Sequence, residues 1–370
     1  MKILYIQDWF AFGGINRVTS CKENYLISKG FEVHNLCMDD RPNAISDYFY
    51  DPEIIMHSLY KDDFDQYLKI PLLGRIIRFI LFRYKFISVI KSIKPDLIVT
   101  VRDYIEPLTV ILFTRKIPRI LEFHCVLLDR ISPIYSFREW CRLNFKYPFY
   151  TLVSLTQRDR EKREKILRQP IYVIPNPIYL KSECSNLEDK IVISLGRFHP
   201  QKGYDLLIPA WIKVAKKHPD WQLYIYGKGD EKEKYRRLIQ QNNLSDQVFL
   251  KDPVENVSEV LLKSSIYVMS SRYEGFGLVL SEAMQCGVPC VSVDCEAGPS
   301  EIIKDGIDGF VVPTLDMDLL TDRICKLIQD DELRKKMGRN ASFNIQRYKI
   351  DDVMKTWIDL FNKEVHSSQL

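Results

Sequence analysis

The sequence predicts an α/β protein built of two doubly wound domains, and three observations carry that expectation. The length of 370 residues exceeds what one hydrophobic core serves, since cores stop growing near roughly 250–300 residues. An apolar strand, a glycine-bearing turn, a helix and a second strand open the chain from Lys2. The same order restarts at Ile191, after Lys181 to Lys190, a polar stretch that reads as a linker.

Composition narrows the class further. Hydrophobic content of 46% and charged content of 28% are those of a globular protein. The net charge of +4, from 53 Lys and Arg against 49 Asp and Glu, is too balanced to argue for nucleic-acid binding. The nine cysteines include no Cys-x2-Cys pair, and no histidine lies near Cys286, Cys290 and Cys295, so no zinc site is expected. An odd, unpatterned set suits a reducing cytosol. Met1 to Ile6 is too short for a signal peptide and is soon followed by Asp8. No uninterrupted apolar run of about 20 residues occurs, so no spanning helix is expected.

In the first half, Lys2 to Gln7 reads as a buried strand. Gly13-Gly14-Ile-Asn-Arg17 forms the turn, Val18 to Lys29 a helix stopped by Gly30, and Phe31 to Met38 the second strand. The turn lacks Gly-x-Gly-x-x-Gly, so Asp39-Asp40 is weak evidence for a dinucleotide. Asp96 to Thr100 and Pro118 to Phe123 read as further strands. Arg102 and Asp103 follow the first of them and His124 the second, at the strand ends where open α/β sheets place ligands. Tyr150 to Leu155 is another strand, Gln157 to Arg168 a charged helix, and Ile171 to Ile174 a strand leading to Pro175-Asn176-Pro177.

Gln66 to Pro95 stands apart because it has no acidic residue. Lys69, Arg75, Arg78, Arg83, Lys85, Lys91 and Lys94 are interleaved with Leu, Ile and Phe. At 100° per residue the charges gather on no single face. Two readings stand open: a plain core helix, or peripheral contact with anionic lipid through long cationic side chains.

In the second half, Ile191 to Leu195 is a strand and Tyr204 to Lys217 a helix. Gly196-Arg197-Phe-His-Pro-Gln-Lys202-Gly203 joins them, with glycines to free the backbone and two cations suited to a diphosphate. Trp221 to Tyr226 is a strand running into Gly227-Lys-Gly229. Ser265 to Met269 is a buried strand, and Leu278 to Gln285 a helix stopped at Gly287. Between them, Gly275 and Gly277 allow close backbone approach, and the helix start aims free N–H groups at one spot, a ready anion site. Glu274 and Glu282 flank that spot with seven residues between them. Carboxylates beside an anion site make sense when they meet something polar and neutral, such as sugar hydroxyls. Met317 to Gln329, Asp331 to Asn340 and Ile350 to Glu364 close the chain as helices. Asp316-Met-Asp318 has the letters of a metal element but opens a helix, where Asp is a usual cap.

Glu274-x7-Glu282, with Gly275-Phe276-Gly277 inside it, resembles the signature of retaining GT-B glycosyltransferases of family 4. The Gly196-Arg197…Lys202-Gly203 loop resembles the same family's phosphate loop, and Gly298-Pro-Ser-Glu301 a stretch found in members that build bacterial surface polysaccharides or lipid-linked oligosaccharides. The resemblance covers almost the whole chain, most specifically 194–203 and 270–303, and loosely the first half. It implies a GT-B fold of two Rossmann-like domains facing a central cleft. Residues 1–180 would bind acceptor, 190–345 the nucleotide sugar, and 346–370 would cross back as a helix to the first domain.

The roles it implies are specific. Arg197 and Lys202 would neutralise the donor diphosphate, helped by amides from Gly275, Phe276, Gly277, Leu278 and Val279. Glu282 would hold ribose hydroxyls, and Glu274 and His124 would face the donor sugar. Gly13 and Gly14 would lie beside the phosphates, with Arg17, Arg102 and Asp103 toward the acceptor. Glu301 would support a loop or helix start. For Arg17 the plain alternative, a solvated helix start, is equally open. The expected reaction is transfer of a hexose or N-acetylhexosamine from a nucleotide sugar, UDP foremost, to a saccharide acceptor, lipid-linked by analogy, with retention. No cofactor and no metal are expected, because two cations can quench the leaving charge. The expected location is cytoplasmic, with 66–95 a candidate contact to the inner membrane. A sugar-nucleotide epimerase, a phosphorylase and a non-catalytic nucleotide-sugar binder are the rival readings.

Overall fold

A computed structural model describes residues 1–7, 14–37, 50–59, 73–102, 107–125, 145–167, 169–179, 183–296 and 298–369. Gly13, Asp103 and Lys69, singled out above, lie outside them. The chain forms two compact units. The first holds Met1–Leu155, Asp159–Pro177 and Ile350–Leu370; the second holds Thr156–Arg158 and Ile178–Lys349. The passage between them at Pro177 precedes the polar stretch read as a linker. Within that stretch Leu187 is buried, and its carbonyl accepts from Arg334 Nη2 at 3.1 Å inside the second unit.

The first unit's sheet is parallel throughout its described pairings. Its strands are β1 (Lys2–Gln7), β2 (Glu32–Cys37), β3 (Ile55–Ser58), β4 (Leu97–Thr100), β5 (Arg119–Phe123), β6 (Thr151–Ser154) and β7 (Ile171–Val173), in the order β3-β2-β1-β4-β5-β6-β7. The second sheet contains β8 (Ile191–Leu195), β9 (Gln222–Tyr226), β10 (Val248–Lys251), β11 (Ile266–Met269), β12 (Cys290–Asp294) and β13 (Gly309–Pro313), ordered β10-β9-β8-β11-β12-β13. Ile3 to Ile6 and Ile266 to Met269 are buried without alternation, as strands covered on both faces must be. In each sheet the winding reverses beside the first strand, between β1 and β4 and between β8 and β11. At such a switch point the loops on the strands' carboxyl ends splay apart and leave room for a ligand.

The helices follow from their spacing. Tyr204–Lys217 buries Tyr204, Leu207, Ile208, Trp211 and Val214, a stripe at three- and four-residue intervals, and ends on Lys216 and Lys217, which suit the negative helix end. Met317–Gln329 starts at Asp316, whose side chain accepts from the Leu319 amide at 2.9 Å, so the Asp pair serves the helix start. Ile350–Gln369 lays Ile350, Val353, Met354, Trp357, Leu360 and Phe361 into the first unit's core beside Ile3, Tyr5 and Ile98. The basic segment yields the helix Leu73–Ile93, with Phe86, Ile90 and Ile93 buried and Ile80 and Tyr84 exposed. Among the described residues no helix is long and apolar enough to cross a membrane.

Candidate active site

In the second unit, the loop after β8 and the loop after β11 leave neighbouring strands and meet. Lys202 Nζ donates to Glu274 Oε1 at 2.7 Å, joining side chains 72 residues apart. The pair is 18% and 10% exposed, so it is shielded from salt but open to a ligand on one side. Ser271 Oγ donates to the same Glu274 oxygen at 2.7 Å.

Two further contacts lock the loops. Arg272 clamps Asp205 with two parallel bonds of 2.8 Å and donates to the Pro200 carbonyl at 2.7 Å. The Arg272 guanidinium holds the Asp205 carboxyl below the usual carboxylate range. Gln201 donates through Nε2 to the Tyr273 carbonyl at 2.9 Å, while the Arg272 amide donates to the Gln201 carbonyl at 2.7 Å. Gly203 makes this approach possible: its φ is +67°, and a Cβ there would stand 2.1 Å from the Ser270 carbonyl oxygen. Arg197 reaches outward beside this lock, with Nη2 donating to Gln201 Oε1 at 3.3 Å.

Gly277 precedes the helix Leu278–Gln285 at φ +88°, a left-handed turn that directs the chain into the helix. The amides at Leu278 and Val279 therefore start a helix beside the Lys202–Glu274 pair, and the positive helix end adds to the cation. Glu282 lies in the same helix and is partly buried. Glu301 accepts from the backbone amides of Gln157 and Arg158, each at 2.8 Å, within the second unit. Its carboxylate thus caps a helix start.

The first unit carries the remaining candidates on the carboxyl edge of its own sheet. Gly14 and Arg17 begin the helix Gly14–Ser28 that follows β1, Arg102 follows β4, and His124 follows β5. His124 Nε2 stands 3.1 Å from Glu122 Oε2, and its side chain is 3% exposed. The other Glu122 oxygen accepts from Lys22 Nζ at 2.6 Å, with Lys22 and Glu122 only 2% and 1% exposed. Lys22 also lies 3.7 Å over the Trp357 ring, a cation–π contact in a dry site. Burial would raise the Glu122 carboxyl, but Lys22 and His124 hold it down to about 2. Burial lowers the Lys22 ammonium against the pull of Glu122. Beside them, Glu23 Oε1 accepts from Asn35 at 2.7 Å, and burial pushes its carboxyl up to about 8.

Sequence reasoning overlooked Ser271, Arg272, Asp205, Glu122 and Lys22. Ser271 and Arg272 stand just before that signature, but their partners were not visible. Lys22 and Glu122 are 100 residues apart and carry no local motif. Among the described residues no three His, Cys, Asp or Glu side chains gather as a metal site requires.

Comparison with known proteins finds similar sequences and a similar fold. Residues 177–342 match the family of glycosyl transferases group 1. The amylovoran biosynthesis glycosyltransferase AmsD of Erwinia amylovora is 32% identical over 220 residues, which is 57% of this chain and 62% of that protein. The poly(ribitol-phosphate) alpha-N-acetylglucosaminyltransferase of Staphylococcus aureus is 32% identical over 194 residues, 52% of this chain and 39% of that protein. The chain thus spans less than two thirds of both relatives. In fold, S. aureus TarM in complex with fondaparinux, alpha-GlcNAc-glycerol and UDP superposes with a TM-score of 0.80 at 17% identity, over 98% of this chain and 99% of that one. Sucrose-phosphate synthase of Thermosynechococcus elongatus gives 0.80 at 20% identity over 98% of each chain. The fold is α/β of the GT-B type.

Proposed function

We propose, from the premise that residues 177–342 carry a group 1 glycosyltransferase domain, that the protein transfers a hexose or N-acetylhexosamine from a nucleotide sugar to a saccharide acceptor. The product would be a surface polysaccharide or related glycan. The observation that carries this reading is the meeting of Lys202, Glu274 and the start of the helix Leu278–Gln285 at the second sheet's switch point. A diphosphate and its sugar are covalently adjacent. A cation meant for one and a carboxylate meant for the other must therefore be neighbours, as these two are. The names of AmsD, an amylovoran biosynthesis enzyme, and of the S. aureus poly(ribitol-phosphate) enzyme support assembly of such a polymer, and UDP in the TarM complex supports a UDP donor.

The mechanism follows from where charge develops. Breaking the sugar–phosphate bond puts negative charge on the leaving diphosphate, and Lys202, Arg197 and the amides from Gly275 to Val279 would receive it. Arriving phosphate would draw Lys202 from Glu274 and free that carboxylate for sugar hydroxyls. Glu282 would hold the ribose. His124, with Gly13 and Gly14, would meet the donor from the first unit, and Arg17, Arg102 and Asp103 would favour the acceptor. No carboxylate stands out as a nucleophile, so we assign family 4 chemistry: retention, with attack on the face the phosphate leaves and the phosphate taking the acceptor's proton. The cations make a metal unnecessary. The basic helix Leu73–Ile93 would bring a lipid-linked acceptor's membrane close.

A panel of nucleotide sugars tests the reading. The true donor raises the melting temperature by mass action and is consumed when acceptor is added, with EDTA present. No shift with any nucleotide sugar would overturn donor binding. Epimerised donor without acceptor would favour the epimerase, and restoration only by Mg²⁺ or Mn²⁺ would overturn the metal-free route.

A further inference from the structure

The first unit holds a buried chain of three ionisable side chains whose far end is His124. Lys22 comes from the helix Gly14–Ser28, Glu122 from β5, and His124 from the residue just past that strand. Their spacings are 2.6 Å and 3.1 Å, and Trp357 closes the near end at 3.7 Å from the ammonium. Burying such a pair costs desolvation energy that a plain apolar core would avoid, so the charges call for a purpose.

We propose that Glu122, anchored by Lys22, is a positioning residue that fixes His124 in the tautomer with its proton on Nε2. The reasoning is one of donors and acceptors. A lysine ammonium offers only donors, so the facing Glu122 oxygen must accept. An ionised carboxylate offers only acceptors, so its second oxygen can take a bond only from a protonated Nε2. The carboxyl held down to about 2 keeps that state at any working pH. With Nε2 occupied as donor, the neutral ring has its lone pair on Nδ1. His124 then presents an acceptor, which suits a sugar hydroxyl and not a carbonyl or phosphate oxygen. Lys22 and Trp357 act through Glu122 and touch no substrate in this scheme. The inference rests on the reading that His124 meets the donor sugar, and it sharpens that reading to the kind of group met.

The test is ¹⁵N NMR of histidine-labelled protein at a pH where the ring is neutral, paired with steady-state kinetics. His124→Gln assigns the signals by deleting them from the set of 6 histidines. The wild-type ring is expected to carry its proton on Nε2; a proton on Nδ1 overturns the proposal without any further variant. In Glu122→Gln, Lys22 draws the amide oxygen and turns the NH₂ toward the imidazole. The tautomer then inverts to Nδ1–H, and kcat falls about tenfold or more, the worth of one misdirected hydrogen bond. The charge-neutral pair Lys22→Met with Glu122→Gln frees the amide to rotate, and the ring moves back toward Nε2–H with part of the activity regained. An unchanged tautomer in folded Glu122→Gln overturns the relay. Wild-type activity in His124→Gln overturns instead the sugar-contact reading, while the tautomer measurement still decides the relay by itself.

Discussion

At the scale of single residues, one half-buried ion pair and one buried carboxyl group govern what substitutions will do. Lys202 is partly exposed and bound to Glu274, which keeps Ser271 as a donor if the lysine is lost. Lys202→Ala is therefore expected to lower kcat on the order of 10²-fold while circular dichroism and melting temperature change little. Wild-type turnover in that variant would remove the lysine from the diphosphate site. Glu23 behaves oppositely because its carboxyl is raised from 4.5 to about 8. The folded state keeps a proton that the unfolded chain releases, so the stability it supplies is complete below about pH 4.5 and lost as pH rises through about 8. Glu23→Gln keeps an acceptor for Asn35 and has no charge to bury. Urea unfolding should show the variant gaining on wild type as pH climbs from 5 to 8, by at least about 1 kcal/mol at the upper end. Parallel pH profiles would contradict this.

At the scale of elements, the loop after β8 depends on one backbone geometry. Gly203→Ala places a methyl 2.1 Å from the Ser270 carbonyl oxygen at a φ of +67°, so the loop has to move away from the loop after β11. We expect a loss of about 1–3 kcal/mol and at least a tenfold loss of activity. Gly30→Ala serves as the comparison, since Gly30 has φ +79° with nothing within 4 Å of the new Cβ. It should show a similar backbone cost and full turnover; equal loss of activity in both would mean that strain, not loop contact, is responsible. This contrast also explains what was legible in the chain. Gly203, Gly277 and the strand before Ser270 announce themselves by local pattern, because a turn and a buried strand are local events. The helices Leu108–Phe113 and Val257–Leu262 escaped because six residues hold too few repeats of a period. β3 escaped because Ile55 and Met56 are exposed and break the expected burial. The Arg272–Asp205 clamp and the Lys22–Glu122 pair escaped because each joins parts of the chain 67 and 100 residues apart, a meeting that only the packed sheet arranges.

At the scale of the whole molecule, the two units are unequal in construction. The second is nearly continuous from Ile178 to Lys349, whereas the first takes in Ile350–Leu370 from the other side of it. That returning helix buries Trp357 and Phe361 and sets the aromatic face under Lys22. A chain ending at Lys349 should melt in two steps, with the second unit near its native midpoint and the first well below. Removing one buried Trp alone costs about 3–5 kcal/mol. Calorimetry showing a single unshifted transition would mean that the helix adds nothing to the first core.

The same discontinuity orders events on the ribosome. Translation runs at about 5–20 residues per second, so the helix Ile350–Gln369 emerges many seconds after the strands it packs on. Throughout that interval the nascent first unit lacks the apolar face that Trp357 and Phe361 supply, while the second unit's strands, the last of them Gly309–Pro313, are all made before that helix. The second unit can therefore complete its core before the first, and the first is where a chaperone is expected to bind the nascent chain.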